Sequence, residues 1–473
     1  MRVRSSVLAA AAALAAALPA HAALDERQLL DALARLTARV EALEKRNTEL
    51  EQALDSERLS EREPEMATRV KALEAQAQAL QKPAARMEAL AGVSVSASLS
   101  AVMQTLPARF SASEAHETRL NYRGDVQVSV PAGEWADISG KAFAHLRFGQ
   151  GSGVGLRPSY TSTPNTLAFQ TGEDADASFA ILAQAGFQLE LPLPRERATQ
   201  TATSRLRLTL GKLDPFVYFD ANGLADDESA KFLNNAFVHN PLLDSGGDVR
   251  ADRFGFAPGA VLQWLDDSDK AAGWTASLGL FASGSGANFS AKPSKPLAIA
   301  QLETRRRFNY LPGSYRVYAW TQGQGQGFDG QMQRHRGLGL SLDQQVGDDL
   351  SLFARWGHQS AGQQRFDRAL VAGLEWRGNA WRRGADAVGL ALGRLRTAPG
   401  FAAASATLDA DGDGRPDWGY AASGSEQLAE LYYRWQIGPK LELTPDLQWL
   451  RRLGGDAAVR GGWVLGLRAR LSL

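Results

Sequence analysis

The chain has 473 residues, 52 basic and 52 acidic groups, and no cysteine. The missing cysteine excludes disulfide scaffolds, thiolate zinc sites and cysteine nucleophiles, and the balanced charge speaks against the basic face that nucleic-acid binding needs. Hydrophobic residues at 44% suffice for a large core, and 46 Gly and 11 Trp beside only 5 Met suit short strands joined by tight turns.

Residues 1–22 combine Arg2 and Arg4 with an apolar run from Val7 to Ala20 and a small-x-small close, Ala20-His21-Ala22. That is the layout of a secretory signal peptide, and the run is too short to cross a ~30 Å hydrocarbon core as a helix. Residues 23–91 are expected to form a coiled-coil stalk. Leu33, Val40, Asn47 and Leu54 take the a positions, and Leu29, Leu36, Leu43 and Leu50 the d positions. A polar a residue such as Asn47 fixes register and partner number at some cost in stability. The repeat breaks at Pro64 and resumes in a shifted register as far as Pro83.

At Val93 the period changes from 3.5 to 2. Trp463, Leu465, Leu467, Ala469, Leu471 and Leu473 alternate with Val464, Gly466, Arg468, Arg470 and Ser472, and Leu206, Leu208 and Leu210 alternate with Arg205, Arg207 and Thr209. In 178–191, Phe179, Ile181, Ala183, Ala185, Phe187, Leu189 and Leu191 form the expected apolar face. About sixteen such segments follow one another, with fourteen or eighteen still open. Short turns such as 345–348 and 438–440 alternate with long polar loops at 149–177, 214–253 and 397–426. This is the pattern of an all-β, antiparallel transmembrane barrel, here occupying 92–473. Near the bilayer midplane a charge on the lipid face costs about 2–4 kcal/mol, so Arg-bearing faces should point into the lumen. That places Arg205, Arg207, Arg355, Arg468 and Arg470 inside, with Phe353 beside Arg355.

The stretch 211–241 carries Gly211-Lys212, Tyr218-Phe219-Asp220, Asp227-Glu228, Phe232-Leu233-Asn234-Asn235-Ala236 and Asn240-Pro241. It resembles the signature region of the carbohydrate-selective porins of Gram-negative outer membranes. The resemblance implies a sixteen-stranded barrel that passes sugars by diffusion through a constriction. The sequence carries no G-x-S-x-G, H-E-x-x-H or P-loop motif, so no enzymatic activity is expected. One departure is the terminal Leu473, where such barrels commonly end in an aromatic residue.

Lumen arginines supply hydrogen-bond donors for mono- or oligosaccharides. They also suit anions, so an anion- or phosphate-type porin remains a competing reading, as does an envelope tether whose barrel is only an anchor. Asp220, Asp226, Asp227 and Glu228 of the 214–253 loop are candidates for a constriction that faces the basic wall. The aromatics Phe216, Tyr218, Phe219, Phe232 and Phe237 are too many for a wholly exposed loop. Asp409, Asp411, Asp413, Arg415 (through its carbonyl) and Asp417 have the spacing of an EF-hand-like calcium loop, without its closing Glu. The expected setting is the outer membrane, among lipids and lipopolysaccharide, with the coil in the periplasm. The expected assembly is a homotrimer, with cell-wall contact through the coil as a further option.

Overall fold

The computed structural model describes residue 45 and residues 92–160, 163–168, 178–193, 202–244, 248–249, 251–269, 271–283 and 295–473. The signal peptide and coiled coil expected within 1–91 lie outside the described residues, apart from Lys45, which is helical and exposed.

The sixteen alternating segments are sixteen strands. They are β1 (Ser94–Leu106), β2 (Glu117–Trp135), β3 (Ile138–Gln150), β4 (Ser178–Leu193), β5 (Ser204–Leu213), β6 (Ala257–Asp266), β7 (Ala272–Phe281) and β8 (Leu297–Phe308). There follow β9 (Leu311–Gln326), β10 (Met332–Gln345), β11 (Leu350–Ala361), β12 (Phe366–Gly378), β13 (Arg383–Thr397), β14 (Ser425–Gln436), β15 (Leu441–Arg451) and β16 (Gly462–Ser472). Every strand pairs antiparallel with its sequence neighbours, and β1 pairs with β16 from Ser98↔Ser472 to Thr105↔Leu465, closing the barrel. Closure leaves no open edge, which a hydrocarbon environment would not tolerate. The terminal Leu473 donates its N–H to Ala97 O at 2.9 Å, so the last residue still joins the closing seam.

The period-2 alternation sorts residues between two environments. On β16, Trp463, Leu465, Leu467 and Leu471 are exposed on the outside while Val464 and Arg468 are buried inside. The same holds for Leu278 and Leu280 on β7 and for Leu390 and Leu392 on β13. Water would leave this apolar belt uncovered; lipid covers it. No helix among the described residues is long and apolar enough to cross a membrane.

The two ends of the barrel differ. One has tight turns, including two-residue turns at Ala136-Asp137 and Asn309-Tyr310, all four residues at positive φ. That geometry matches the twist of the flanking strands. Trp135 (80% exposed), Phe308, Tyr310 (89%), Trp376 and Trp435 ring this end, as an interfacial aromatic girdle would. The other end carries the connections 151–177, 214–256, 282–296 and 398–424.

The β4 expectation needs one correction. The β3–β4 register shifts between His145 and Leu146: His145 pairs with Gln184 but Leu146 pairs with Leu182. Ala183 is the extra residue of a β-bulge, which flips the face of everything beyond it. Phe179 and Ile181 therefore face inward, opposite Gly149 and Arg147, rather than outward with Phe187.

Candidate functional site

The connection after β5 turns into the barrel. Asp214 caps a 3₁₀ turn (Pro215–Val217), accepting the Phe216 N–H at 2.9 Å, and Asn234 caps a short helix α1 (Asn235–Val238) through the Ala236 N–H at 3.0 Å. The segment's apolar side packs on the inner wall. Phe219 meets Phe281 of β7, and Phe232 meets Phe353 of β11 and Tyr432 of β14. Each buried phenyl ring contributes about 1.5–3 kcal/mol of hydrophobic stabilisation.

The polar side is locked by strand side chains. Asp220 is fully buried, with φ +60°, a conformation Asp tolerates better than most residues. Its Oδ1 accepts from the Tyr318 hydroxyl at 2.6 Å and Arg355 Nε at 3.2 Å, and its Oδ2 from Asn240 N at 2.7 Å. Arg355 also donates to the carbonyls of Ala225 (3.1 Å), Phe237 (2.6 Å) and Asp220 (3.0 Å). Glu430 on β14 accepts the N–H groups of Leu233 at 2.5 Å and Asn234 at 2.9 Å. Arg468 on β16 donates to Glu228 O at 2.9 Å and Lys231 O at 2.7 Å. The backbone groups of an irregular segment buried in a barrel are thus satisfied by the wall, as burial requires.

The 211–241 signature residues make these contacts. Phe219, Phe232 and Leu233 are buried, Asp220 and Asn240 bind the Tyr318 hydroxyl, Asn234 reaches Gln448 Oε1 at 3.0 Å, and Glu228 binds Arg123 at 2.6 Å. The motif is a docking code for the loop.

The docked loop covers the inner wall of β7–β15 and part of β16, and leaves space beside β1–β6. A cavity of ≈ 930 Å³ is lined by Gln127, Lys141, Phe143, Gln184, Gln188, Arg207 and Tyr218, among others. A second, of ≈ 610 Å³, is lined by Arg123, Asp125, Arg147, Asp226, Asp227, Glu228, His239 and Arg470. The two share Gln127, His145, Gln184 and Val217, so they form one lumen with a junction at these residues.

At the junction charges alternate across the gap. Asp125 is approached by His145 Nε2 at 2.7 Å, Arg147 Nε at 2.6 Å and Arg123 Nε at 2.9 Å, and Arg123 also holds Glu228. Asp227 faces Arg470 at 3.8 Å. Burial opposes the charged form of Glu228 and Asp227, yet Arg123 and Arg470 respectively hold both carboxyls below their ordinary values. Asp226 is different: burial raises it to about 7, against the pull of His239 at 3.7 Å and Arg355 at 3.8 Å. Burial also opposes charge on His239, but a hydrogen bond to Asp244 at 3.1 Å and the nearby acids raise it to about 9. Phe216 stacks on the His239 ring with centroids 3.7 Å apart.

The expected arginines all meet interior groups, but in two different ways. Arg207 (to Glu190, 2.6 Å), Arg470 and Arg205 (to Glu190, 3.8 Å, and Asp267, 3.6 Å) remain partly open. Arg355 and Arg468 are 1% exposed and Phe353 2%, sealed behind the loop and out of a solute's reach. The four loop acids are brought against arginines: Asp220 and Asp226 to Arg355, Asp227 to Arg470, Glu228 to Arg123. Arg123, Asp125, His145 and Arg147 lay outside the sequence reading. Their signal was present: Arg123, Asp125 and Gln127 alternate with Gly124, Val126 and Val128, and His145 and Arg147 with Leu146 and Phe148.

In the 398–424 connection, Asp409, Asp411 and Asp413 are exposed with carboxylate oxygens within 4.8 Å of one another. Asp409 accepts the N–H groups of Gly412 (2.8 Å), Asp413 (3.1 Å) and Gly414 (2.9 Å), and Asp417 that of Ala410 (2.8 Å). These bonds account for the turn's shape. Arg415 donates its N–H to Asp413 Oδ1 at 2.8 Å.

The family comparison decides what this architecture belongs to. A sequence model of carbohydrate-selective porins, the OprB family, matches residues 160–473. The chain belongs to the OprB family of carbohydrate-selective porins. Among solved structures, the high-pH form of OprB from Pseudomonas putida aligns with a TM-score of 0.64 at 17% identity, covering 83% of this chain and 97% of that one. Its low-pH form aligns at 0.45 and 15% identity over the same shares. A mutant form of the Rh. blastica porin aligns at 0.44 and 10%, covering 80% of this chain and all of that one. The first match supports the barrel fold. Comparison with curated proteins found no match. This OprB-family chain is therefore an outer-membrane porin for passive, sugar-preferring diffusion, and a channel, not an enzyme.

Proposed function

We propose that solutes cross through the part of the lumen bounded by β1–β6 and the docked loop, with the junction at Gln127, His145 and Gln184 as the selective point. The observation that carries this is the makeup of the open wall. Gln127, Gln184 and Gln188 each present a donor and an acceptor, as a sugar hydroxyl does, and Phe143 and Tyr218 offer flat faces for sugar rings. The two cavities fall within the ~300–1,000 Å³ typical of small-molecule sites.

An anion-type pore would need free cations at the junction; Lys141, which has no ion pair among the described residues, lines the first cavity and not the junction. Arg123, Arg147, Arg207 and Arg470 are instead each held by carboxylates. Charge compensation favours neutral solutes. The acids Asp226, Asp227 and Glu228 do this work as a constriction edge, and Asp220 holds them in place. The long loops face the cell exterior and the short turns the periplasm, where residues 23–91 form a coil that holds the protein as a trimer.

Planar-bilayer recording tests the reading. Added oligosaccharide should lower the current through steady channels, while equimolar phosphate should not. Block by phosphate alone would reassign the pore to anions, and absence of steady channels would leave a barrel that serves as an anchor.

A further inference from the structure

The outside of the barrel is apolar through most of its height, but β10 to β15 depart from this at the long-loop end. Arg334 and Arg336 on β10, Arg368 on β12, Arg394 on β13 and Arg451 on β15 are all exposed there. Register places them on the lipid side. Arg394 pairs with Leu370 (55% exposed), and Gln427 links Arg394 to Arg451 across β14. Arg368 stands one outward step beyond Leu370, and Arg336 one beyond Leu338. Among the described residues none of the five side chains makes an ion pair, hydrogen bond or ring contact. The acid nearest in register, Asp367, is already taken by Arg396, whose Nε lies 2.8 Å from Asp367 Oδ1. A groove of ≈ 580 Å³ continues the basic rim, with Lys295 and Arg334 among its lining.

On β2, β3 and β7 the outward residues near this end include Leu120, Tyr122, Phe148 and Leu280, all uncharged. The basic sector is thus local. Adjacent strands lie about 4.8 Å apart, so β10 to β15 spread the arginines over roughly 24 Å. An arginine in an interfacial zone costs little, about 0–1 kcal/mol. Its planar fork suits phosphate oxygens bidentately.

We propose that this rim binds the phosphate-bearing headgroup of an anionic glycolipid in the outer leaflet. Arg336, Arg368, Arg394 and Arg451 take the phosphates, and acyl chains lie along Leu338, Leu370 and Leu392 beneath. Lipid is the occupant because the basic row sits directly above an apolar wall, which matches an amphiphile with charge at one end. A second copy of this chain, meeting the rim through Leu120, Tyr122, Phe148 or Leu280, would bring no carboxylate to it.

The test compares the wild-type protein with the triple variant Arg368→Gln/Arg394→Gln/Arg451→Gln, both refolded in detergent. Heat-modifiable gel mobility and single-channel conductance verify the barrel. Native mass spectrometry then follows binding of bisphosphorylated lipid A from mixed micelles. The expected result is at least tenfold weaker binding by the triple variant, partial recovery when the same positions are Lys, and at least tenfold weaker wild-type binding of lipid A stripped of its phosphates. Equal binding by wild type and variant, or equal binding of the dephosphorylated lipid, overturns the proposal. Displacement of the lipid by millimolar inorganic phosphate would mark a free-phosphate site instead. A change confined to oligomeric state would mark a contact between copies. If the triple variant does not fold, Arg368→Gln alone should still weaken lipid binding two- to fivefold, and wild-type affinity in that single variant counts against the proposal.

Discussion

Arg355 and Asp220 hold the loop at a point where a charge cannot be lost cheaply. Replacing Arg355 with Ala leaves the Asp220 carboxylate buried beside three carbonyls that have lost a donor, at a cost of about 3–5 kcal/mol. The barrel hydrogen bonds do not depend on this contact. The Arg355→Ala variant should therefore keep its sheet signal in circular dichroism but show higher single-channel conductance and weaker sugar block, as the loop leaves the wall. Arg207→Ala, on the open side, should change sugar affinity by only a few-fold with conductance near wild type.

His239 and Asp226 make the lumen charge depend on pH. Below about 7 Asp226 is neutral and His239 positive; above about 9 Asp226 is negative and His239 neutral. The constriction edge therefore becomes more negative by two charges as pH rises from 6 to 10. Reversal potentials in a KCl gradient should move towards cation selectivity in two steps, and His239→Gln should remove the step near 9. A pH-independent reversal potential would show that these groups do not face the permeating ions. The alternation on β11 made the inward direction of Arg355 legible in the sequence, because a strand's period decides which face a residue joins. Its burial was not legible, because the loop that covers it lies 120 or so positions away and docks by tertiary contact.

Among the elements, the 214–244 loop depends on aromatic packing and on strand glycines that make room for its anchors. A Cβ at Gly339 would sit 2.2 Å from the Tyr318 ring, so Gly339→Ala must displace the side chain that binds Asp220 and Asn240. Phe232→Ala removes the ring wedged among Phe237, Phe353 and Tyr432, a loss of about 3–5 kcal/mol in a buried site. Limited proteolysis should cleave the loop of either variant under conditions that leave the wild-type loop intact. The loop's aromatic content signalled from the sequence that it packs. The β4 bulge at Ala183 gave no such signal, since an apolar run reads the same in either register until a partner strand fixes it. On β10–β13 the rule that arginine-bearing faces turn inward holds at mid-height and lapses at the rim, where Arg368 and Arg394 point outward because the charge penalty fades with depth.

For the whole molecule, the barrel's closing seam uses β1 and β16 alone. Deleting residues 23–91 should leave a conducting barrel that dissociates to monomers more readily in detergent, read by native electrophoresis. Unchanged oligomer stability would remove the coil from assembly. The central claim is that sugars pass beside β1–β6 while the docked loop seals the opposite wall. The chain has no cysteine, so single-cysteine variants report this without background. A water-soluble methanethiosulfonate reagent should cut the single-channel current of Gln127→Cys, at the junction of the two cavities, and added oligosaccharide should slow the reaction. Ser341→Cys, buried on β10 beneath Asn222, should not react. Rapid block through position 341 with an inert position 127 would contradict the account.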